Sequence, residues 1–185
     1  NRIIIRMHKS IMMKILVMHS FLNNIENRWP KKLADVNYKI IIDADSSPVI
    51  DEKVHIALRH HIEVILVKDY AHYSSKIYGS DVRSIYVDTS SDSADYKILS
   101  LVDKGDIVIT GDYGLASIVI NKALVMHHTG FIYTQSNLDA LLITRYINHE
   151  SRKMNKRIKG PAKFTTSDRT KFKTTLEQII TSPNY

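Results

Sequence analysis

The sequence predicts an α/β domain in which a mostly parallel central sheet carries helices on both faces. Between Tyr38 and Met126, short apolar runs alternate with stretches whose apolar residues recur at helical spacing. This alternation is typical of parallel strands joined by right-handed helical crossovers. The first run, Ile40-Ile41-Ile42, is β-branched throughout, as expected of a strand buried on both faces. Aspartates close to the ends of these runs are the third indication, since ligands bind at the carboxyl edge of such sheets.

The chain is long enough for one domain with a substantial core. Its 185 residues match the ~100–200 residues usual for a domain, and we expect a single domain over residues 38–185. Residues 1–37 are expected to form a leader, either helical or poorly ordered, because the apolar run 11–18 is interrupted by Lys14 and is too short to cross a bilayer. The absence of cysteine excludes a disulfide scaffold and a cysteine-ligated zinc site. We therefore expect a cytoplasmic protein without a membrane partner, and the sequence leaves its oligomeric state open.

Periodicity and turn signals give the order of the elements. Strands are predicted at Ile40–Ile42, Ile62–Val67, Arg83–Val87, Asp106–Thr110 and Leu124–Met126. Helices are predicted directly after Pro48, around Ile98–Val102, over Gly114–Lys122, near Asn137–Asn148 and from about Ser167 to Ile180. The last of these elements form a basic, helical C-terminal extension. A polar loop, Lys68–Gly79, is unusually rich in rings.

Aspartates from distant parts of the chain are predicted to meet at one edge of the sheet. Asp43 and Asp45 follow the first strand, Asp92 and Asp95 open the helix after the third, and Asp112 follows the fourth. The predicted cluster has neither a cysteine nor a facing histidine pair that would favour a softer metal. Carboxylates alone suit Mg²⁺ or Mn²⁺. Such ions assist phosphodiester hydrolysis. We therefore predict all five as metal ligands, with Asp43, Asp95 and Asp112 as the catalytic set.

Each aspartate also has a purely structural interpretation. Asp92 is the natural N-cap of its helix and, taken alone, is better explained that way. Asp95 could complete a capping box or interact favourably with the helix dipole, and Asp112 could cap the next helix. Asp45 could cap the helix that follows the first strand, and Asp43 could accept hydrogen bonds in the turn between them. The remaining candidates are predicted to be solvated loop or turn carboxylates: Asp88, Asp103 and Asp106. The shared edge, rather than any single residue, favours the functional interpretation.

The ring-rich loop offers further candidates. His72 is the best-placed histidine for a supporting or substrate-binding role, although an ordinary surface histidine is the simpler explanation. Tyr70 and Tyr73 could stack on nucleobases or could only pack within the loop.

Several motifs resemble the bacterial YaiI/YqxD family. The resemblance is carried by Ile42-Asp43-Ala44-Asp45-Ser46-Ser47-Pro48-Val49, Asp92-Ser93-Ala94-Asp95 and Gly105–Ala116, and it continues through Gly130–Thr134, Arg145, Lys159-Gly160-Pro161, Asp168-Arg169 and Phe172. It covers Tyr38 to about Ile180 in order. The resemblance implies a PIN-like three-layer fold of metal-dependent ribonucleases, whose acidic positions match Asp43, Asp95 and Asp112.

Two positions depart from the family pattern. Ser47-Pro48 stands where the family usually has Cys-Pro, so any role of that thiol is absent here. Ser91 stands where a glycine commonly precedes the second acidic motif.

The charge distribution points to a polyanionic partner. The net charge is +7, yet residues 38–128 hold nine Lys and Arg against thirteen acids, whereas residues 129–185 hold ten against four. An acidic centre beside basic ends is typical of a cation site within a nucleic-acid-binding surface. The residues predicted to contact an RNA backbone are Arg145, Arg152, Lys153, Lys156, Arg157, Lys159 and Arg169.

Three functions therefore compete. The first is a nuclease dependent on Mg²⁺ or Mn²⁺ that acts on RNA. The second is a phosphatase of the haloacid-dehalogenase type, with Asp43 as nucleophile and Asp45 as acid/base, although no convincing lysine motif accompanies it. The third is a non-catalytic RNA-binding module whose acids are structural.

Overall fold

The computed structural model describes residues 38–90, 92–154 and 162–181. Within them, five strands form one parallel sheet in the order β3-β2-β1-β4-β5. The strands are β1 (Ile40–Asp43), β2 (Val64–Asp69), β3 (Val82–Val87), β4 (Ile107–Ile109) and β5 (Leu124–Met126). The helices are α1 (Ile50–Arg59), α2 (Ser93–Leu101), α3 (Tyr113–Val119), α4 (Gln135–Lys153) and α5 (Thr166–Thr181). The predicted α/β class with a parallel sheet is confirmed.

Helices cover both faces of the sheet, which gives three layers. Because side chains alternate along a strand, Ile40 and Ile42 pack with α1 and α5, whereas Ile41 packs with α2, α3 and α4. Asp43 has the same parity as Ile41, so its side chain emerges on the α2 and α3 face. The alternation within β1 therefore decides on which side of the sheet the side chain of Asp43 lies.

Helix α5 belongs to the core rather than to a peripheral extension. Phe172, Leu176 and Ile179 are buried against β-strand residues and α1. Gly130, at φ +80°, permits this contact because a Cβ there would lie 2.7 Å from the backbone nitrogen of Phe172. The loop after β5 thus needs glycine where α5 docks.

The turn between β1 and α1 differs in detail from the predicted one. Helix α1 begins at Ile50 rather than directly after Pro48, and Val49 at its N-cap has a left-handed φ of 51°. That conformation is rare for a β-branched residue and costs energy that the surrounding contacts must offset. The strained residue lies in the turn that carries Asp43 and Asp45.

The amino ends of the strands contain a buried ion pair. Asp106 is only 1% exposed, and its Oδ2 lies 2.9 Å from Lys39 Nζ. The backbone N–H groups of Lys39 and Asp103 also donate to Asp106, at 3.1 and 2.8 Å. The prediction that Asp106 is solvated is therefore wrong, because it ties the start of β4 to the start of β1.

No helix in the described part of the chain combines the length and hydropathy that crossing a bilayer requires. The predicted leader, residues 1–37, lies outside the described residues.

Candidate metal and nucleic-acid site

Asp43 is held in place by two hydroxyl groups. Ser46 Oγ donates to its Oδ2 at 2.6 Å and Thr110 Oγ1 donates to the same oxygen at 2.7 Å. The backbone N–H groups of Gly111 and Asp112 donate in turn to these two hydroxyls, at 3.0 and 2.9 Å. Asp43 is 5% exposed, and no hydrogen bond reaches its Oδ1 from the residues that the structure describes. One oxygen of Asp43 is therefore fixed and the other is free for a ligand.

A cavity of about 330 Å³ opens at the carboxyl edge of the sheet beside Asp43. Carboxylates dominate its lining: Asp43, Asp45, Asp69, Asp88, Asp92, Asp95 and Asp112. All five predicted metal-ligating aspartates thus line one cavity, together with two more from the ends of β2 and β3. Carboxylates at such density repel one another unless protons or cations relieve them.

Among these carboxylates, burial and mutual repulsion have their clearest effect on the pKa of Asp95. Asp95 lies in the first turn of α2, half-buried, without a hydrogen bond to its side chain among the described residues. Burial, followed by the charges of Asp112, Asp43 and Asp92, raises its pKa to about 6. The capping-box interpretation of Asp95 is therefore wrong, and its charge is not compensated by a cap.

Asp92 and Asp112 behave differently as helix caps. Asp92 stands at the N-cap of α2 in a left-handed conformation, φ 65°, but its side chain makes no capping hydrogen bond. Asp112 does cap α3, because its Oδ1 accepts from the Gly114 N–H at 2.5 Å. Arg145 Nη1 also reaches that oxygen, at 3.3 Å. The N-cap prediction is thus confirmed for both positions, but only Asp112 caps its helix through the side chain.

Asp45 faces a different part of the cavity. Its Oδ2 accepts from the Asp69 N–H at 2.9 Å, and its Oδ1 lies 3.2 Å from His72 Nδ1. His72 Nδ1 is also 2.8 Å from Asp69 Oδ1. Burial, and then the charge of Asp69, raises the pKa of Asp45, whereas the Asp69 N–H and His72 lower it. The suggested supporting role of His72 therefore has a geometric basis next to an acidic ligand candidate.

The donor set suits a hard divalent cation. In the described part of the chain, only the ligand atoms of Asp45, Asp69 and His72 all lie within 4.8 Å of one another. Those of Asp43, Asp95 and Asp112 are spread more widely around the cavity. Mg²⁺ usually keeps several waters and takes one or two carboxylates directly, so oxygens at this spacing fit a partly hydrated ion. The fit rests on oxygen chemistry and excess negative charge rather than on a closed set of ligands.

The predicted RNA-contacting residues are dispersed. Arg145 lies at the cavity, whereas Arg152 and Lys153 are exposed at the end of α4, where Lys153 pairs with Glu150. Arg169, on α5, lies 3.2 Å from Glu52 on α1, in the layer on the other face of the sheet. The other three, Lys156, Arg157 and Lys159, lie outside the described residues. Arg145 is therefore the predicted cation that the fold brings to the acidic site.

Comparison with known proteins identifies the family. Residues 41–182 match the model described as "Uncharacterized BCR, YaiI/YqxD family". A UPF0178 protein of Enterococcus faecalis is 44% identical over 143 residues, which is 77% of this chain and 97% of that protein. Those of Oceanobacillus iheyensis and Bacillus cereus are 46% and 45% identical, over 77% of this chain and 99% and 98% of their own lengths. The chain belongs to the YaiI/YqxD family. No solved structure matches it.

One buried lysine that was not predicted as functional contacts Ser47 and Pro48, the pair that departs from the expected family pattern. Lys53, on α1, is fully buried, hydrogen-bonds Ser47 Oγ, and donates to the Pro48 carbonyl at 2.8 Å. Its Nζ lies 5.2 Å from the centre of the Phe172 ring. Burial lowers its pKa to about 7, against the opposing charges of Asp43 and Glu52. Lys53 thus holds the turn that carries Asp43 and Asp45, and Phe172 of α5 packs beside its ammonium group.

Proposed function

We propose that this YaiI/YqxD protein is a nuclease that hydrolyses phosphodiester bonds of RNA and depends on Mg²⁺ or Mn²⁺. The observation that carries the proposal is the single cavity lined by seven aspartates at the carboxyl edge of a parallel sheet. Around these carboxylates, the described residues supply two basic contacts, Arg145 to Asp112 and His72 to Asp45 and Asp69. A bound cation would relieve the remaining repulsion.

The aspartates of the cavity would have different roles in binding the ion and orienting water. Asp43, Asp95 and Asp112 would hold the ion, with Asp43 presenting Oδ1 because Ser46 and Thr110 occupy Oδ2. Asp45 and Asp92 would serve as additional ligands or orient the attacking water. When bound, the ion polarises the phosphoryl oxygen, activates water and balances the charge of the leaving oxygen. These roles also match the acidic positions that the resemblance to PIN-like ribonucleases implies.

Arg145 would contact the phosphate. Its guanidinium is exposed and bonded to Asp112 through one nitrogen, which leaves further donors for phosphate oxygens. Other basic residues of the C-terminal helices would extend the contact electrostatically, and binding would weaken with salt. A cytoplasmic location, favoured by the absence of cysteine, would place the protein with RNA.

The test is cleavage of a labelled single-stranded RNA with Mg²⁺, Mn²⁺ or chelator. We expect divalent-dependent cleavage by the wild type and a loss of orders of magnitude in Asp112→Asn. Asp103→Asn is the matched control, because Asp103 lies at the opposite end of the sheet and pairs with Lys39. Equal cleavage by the wild type and Asp112→Asn would refute the proposal. Turnover of a small phosphomonoester with label trapped on Asp43 would favour the phosphatase instead, and RNA binding insensitive to chelator without cleavage would favour the binding module.

A further inference from the structure

A second cavity, of about 340 Å³, adjoins the acidic one. The two share Asp92, Asp95 and Asp112 in their linings. Along α2, Asp92, Asp95, Tyr96 and Leu99 follow helical spacing, so they form one stripe that leads away from the acidic edge. The second cavity is therefore a continuation of the first along this helix.

The far end of the second cavity has a different chemistry. On α3, Gly114 and Ile118 are four residues apart on one face, and they line the same cavity as Tyr96 and Leu99 of α2. Tyr96 is 71% exposed and Ile118 is 55% exposed, so two large apolar side chains meet solvent where neither is needed for the core. The cavity thus changes from carboxylates to an aromatic ring and aliphatic side chains over a short distance.

Arg145 completes the lining from α4. It contacts Asp112 at the boundary between the two cavities. A Cβ on Gly114 would lie 3.0 Å from Asp112 Oδ1 and 3.8 Å from Arg145 Nη1, so glycine leaves room for this contact. The two adjoining cavities thus bring together carboxylates, a guanidinium and an exposed ring with apolar neighbours.

We propose that the second cavity is a nucleotide subsite, which holds the nucleotide adjacent to the scissile phosphate of a single-stranded RNA. Tyr96 stacks on the base, Leu99 and Ile118 pack against its edge and sugar, and Arg145 contacts the phosphate between the two cavities. This inference rests on the proposed nuclease function, because the scissile phosphate lies at the acidic cavity. The cavity volume falls within the range of ~300–1,000 Å³ that small-molecule sites occupy.

Stacking explains why an exposed tyrosine is useful there. Base–aromatic stacking tolerates any base, because each base presents a π-face. The subsite therefore requires an unpaired nucleotide, since a base within a duplex is already stacked and cannot enter a side cavity without being flipped out. Cleavage is expected to favour single strands without strong sequence preference.

Binding can be measured without cleavage by labelling the isoleucine methyl groups and titrating the full chain with adenosine 5′-monophosphate in Mg²⁺ by NMR. The Ile118 methyl should shift, whereas that of Ile147, which is exposed on α4 and does not line the cavity, should not. Tyr96→Ala should weaken binding roughly tenfold. Tyr146→Ala, which removes an equally exposed tyrosine outside the cavity, should leave it unchanged. Ribose 5-phosphate should bind more weakly than the nucleotide.

The proposal is overturned if the nucleotide does not shift the Ile118 methyl, or if Tyr96→Ala binds it as tightly as the wild type does. A cleavage assay separates this failure from failure of the nuclease proposal. If the wild type cleaves RNA and Tyr96→Ala cleaves with the same kcat/KM, the subsite is wrong and the nuclease stands. If the wild type does not cleave, the nuclease is wrong, and the methyl titration then shows whether the cavity binds nucleotides at all.

Discussion

Asp106 and Asp43 are both buried, and they lie at opposite ends of the same parallel sheet. At the amino ends, Asp106 Oδ2 lies 2.9 Å from Lys39 Nζ, and the carboxylate accepts hydrogen bonds from two backbone N–H groups. At the carboxyl ends, Asp43 accepts hydrogen bonds from two hydroxyl groups, both at Oδ2, and six further aspartates line the cavity beside it. At the amino ends of the strands, the buried carboxylate is paired with a lysine of the chain. At the carboxyl ends, several carboxylates lie around one cavity.

The comparison separates structural from functional acids. A buried carboxylate that is paired and hydrogen-bonded needs nothing from outside the chain. Carboxylates gathered without enough cations make the folded state less stable, a cost typical of sites built for a ligand.

Asp43→Asn should reduce metal-dependent RNA cleavage about a thousandfold, since loss of one ion-binding carboxylate removes several kcal/mol of transition-state stabilisation. The amide oxygen can still accept from Ser46 and Thr110, so the fold should survive, as checked by circular dichroism. Activity within a factor of two of the wild type would show that the carboxyl-end acids are not the catalytic group.

Asp106→Ala should lower the free energy of unfolding by about 3 kcal/mol, because Lys39 loses its buried partner and two backbone N–H groups lose their acceptor. Asp103→Ala, at the exposed partner of the same lysine, should lower the free energy of unfolding much less than Asp106→Ala does. Urea denaturation measures both. Similar losses in the two variants would remove the basis for treating Asp106 as a structural acid.

The pH dependence of the free energy of unfolding, compared between the wild type and Lys53→Met, tests the buried cation at the β1–α1 turn. The pKa of Lys53 is about 7 in the folded chain, whereas in the unfolded chain it returns to its ordinary higher value. Between these values the unfolded chain holds the extra proton, so stability rises with pH. From about pH 7 to pH 9, the wild type should gain about 2 kcal/mol relative to Lys53→Met. Parallel stability curves for the two proteins would contradict the burial of a titrating lysine.

Asp95→Asn should raise the stability of the metal-free protein by about 1 kcal/mol after allowance for solvent screening, because a repelled, half-buried charge disappears without loss of a hydrogen bond. The same variant should lose the increase in Tm that Mn²⁺ gives the wild type. Asp139→Asn, at an exposed acid of α4 away from the cavity, is the control. A destabilised Asp95→Asn would contradict the expectation that the charge of Asp95 is repelled by its neighbours in the metal-free protein.

Local patterns predicted the sheet and much of the acidic edge. The run Ile40–Ile42 identified β1, and parallel topology then placed Asp43, Asp95 and Asp112 along one edge. Long-range contacts could not be predicted in this way. Lys53 is buried because α5 brings Phe172 over it, and Asp106 is buried because Lys39 lies beside it in the folded sheet.

The side-chain arrangement within the cavity was also beyond the sequence. Asp69 falls within the predicted polar loop Lys68–Gly79, whereas in the structure it ends β2 and the short helical turn at Tyr70–His72 brings His72 back to Asp69 and Asp45. Asp112 is both a helix cap and part of the acidic lining, so the two interpretations of that residue were never alternatives. Spacing in sequence reports the edge on which a residue lies, but not the direction of its side chain.

The most direct test is a crystal of the protein soaked in Mn²⁺, with anomalous scattering used to locate the ion. We expect a peak within the acidic cavity, bounded by Asp43, Asp95 and Asp112, that disappears in crystals of Asp95→Asn. A cavity without an anomalous peak, or a peak confined to Asp45, Asp69 and His72, would contradict the assignment of Asp43, Asp95 and Asp112 as the ion-binding acids.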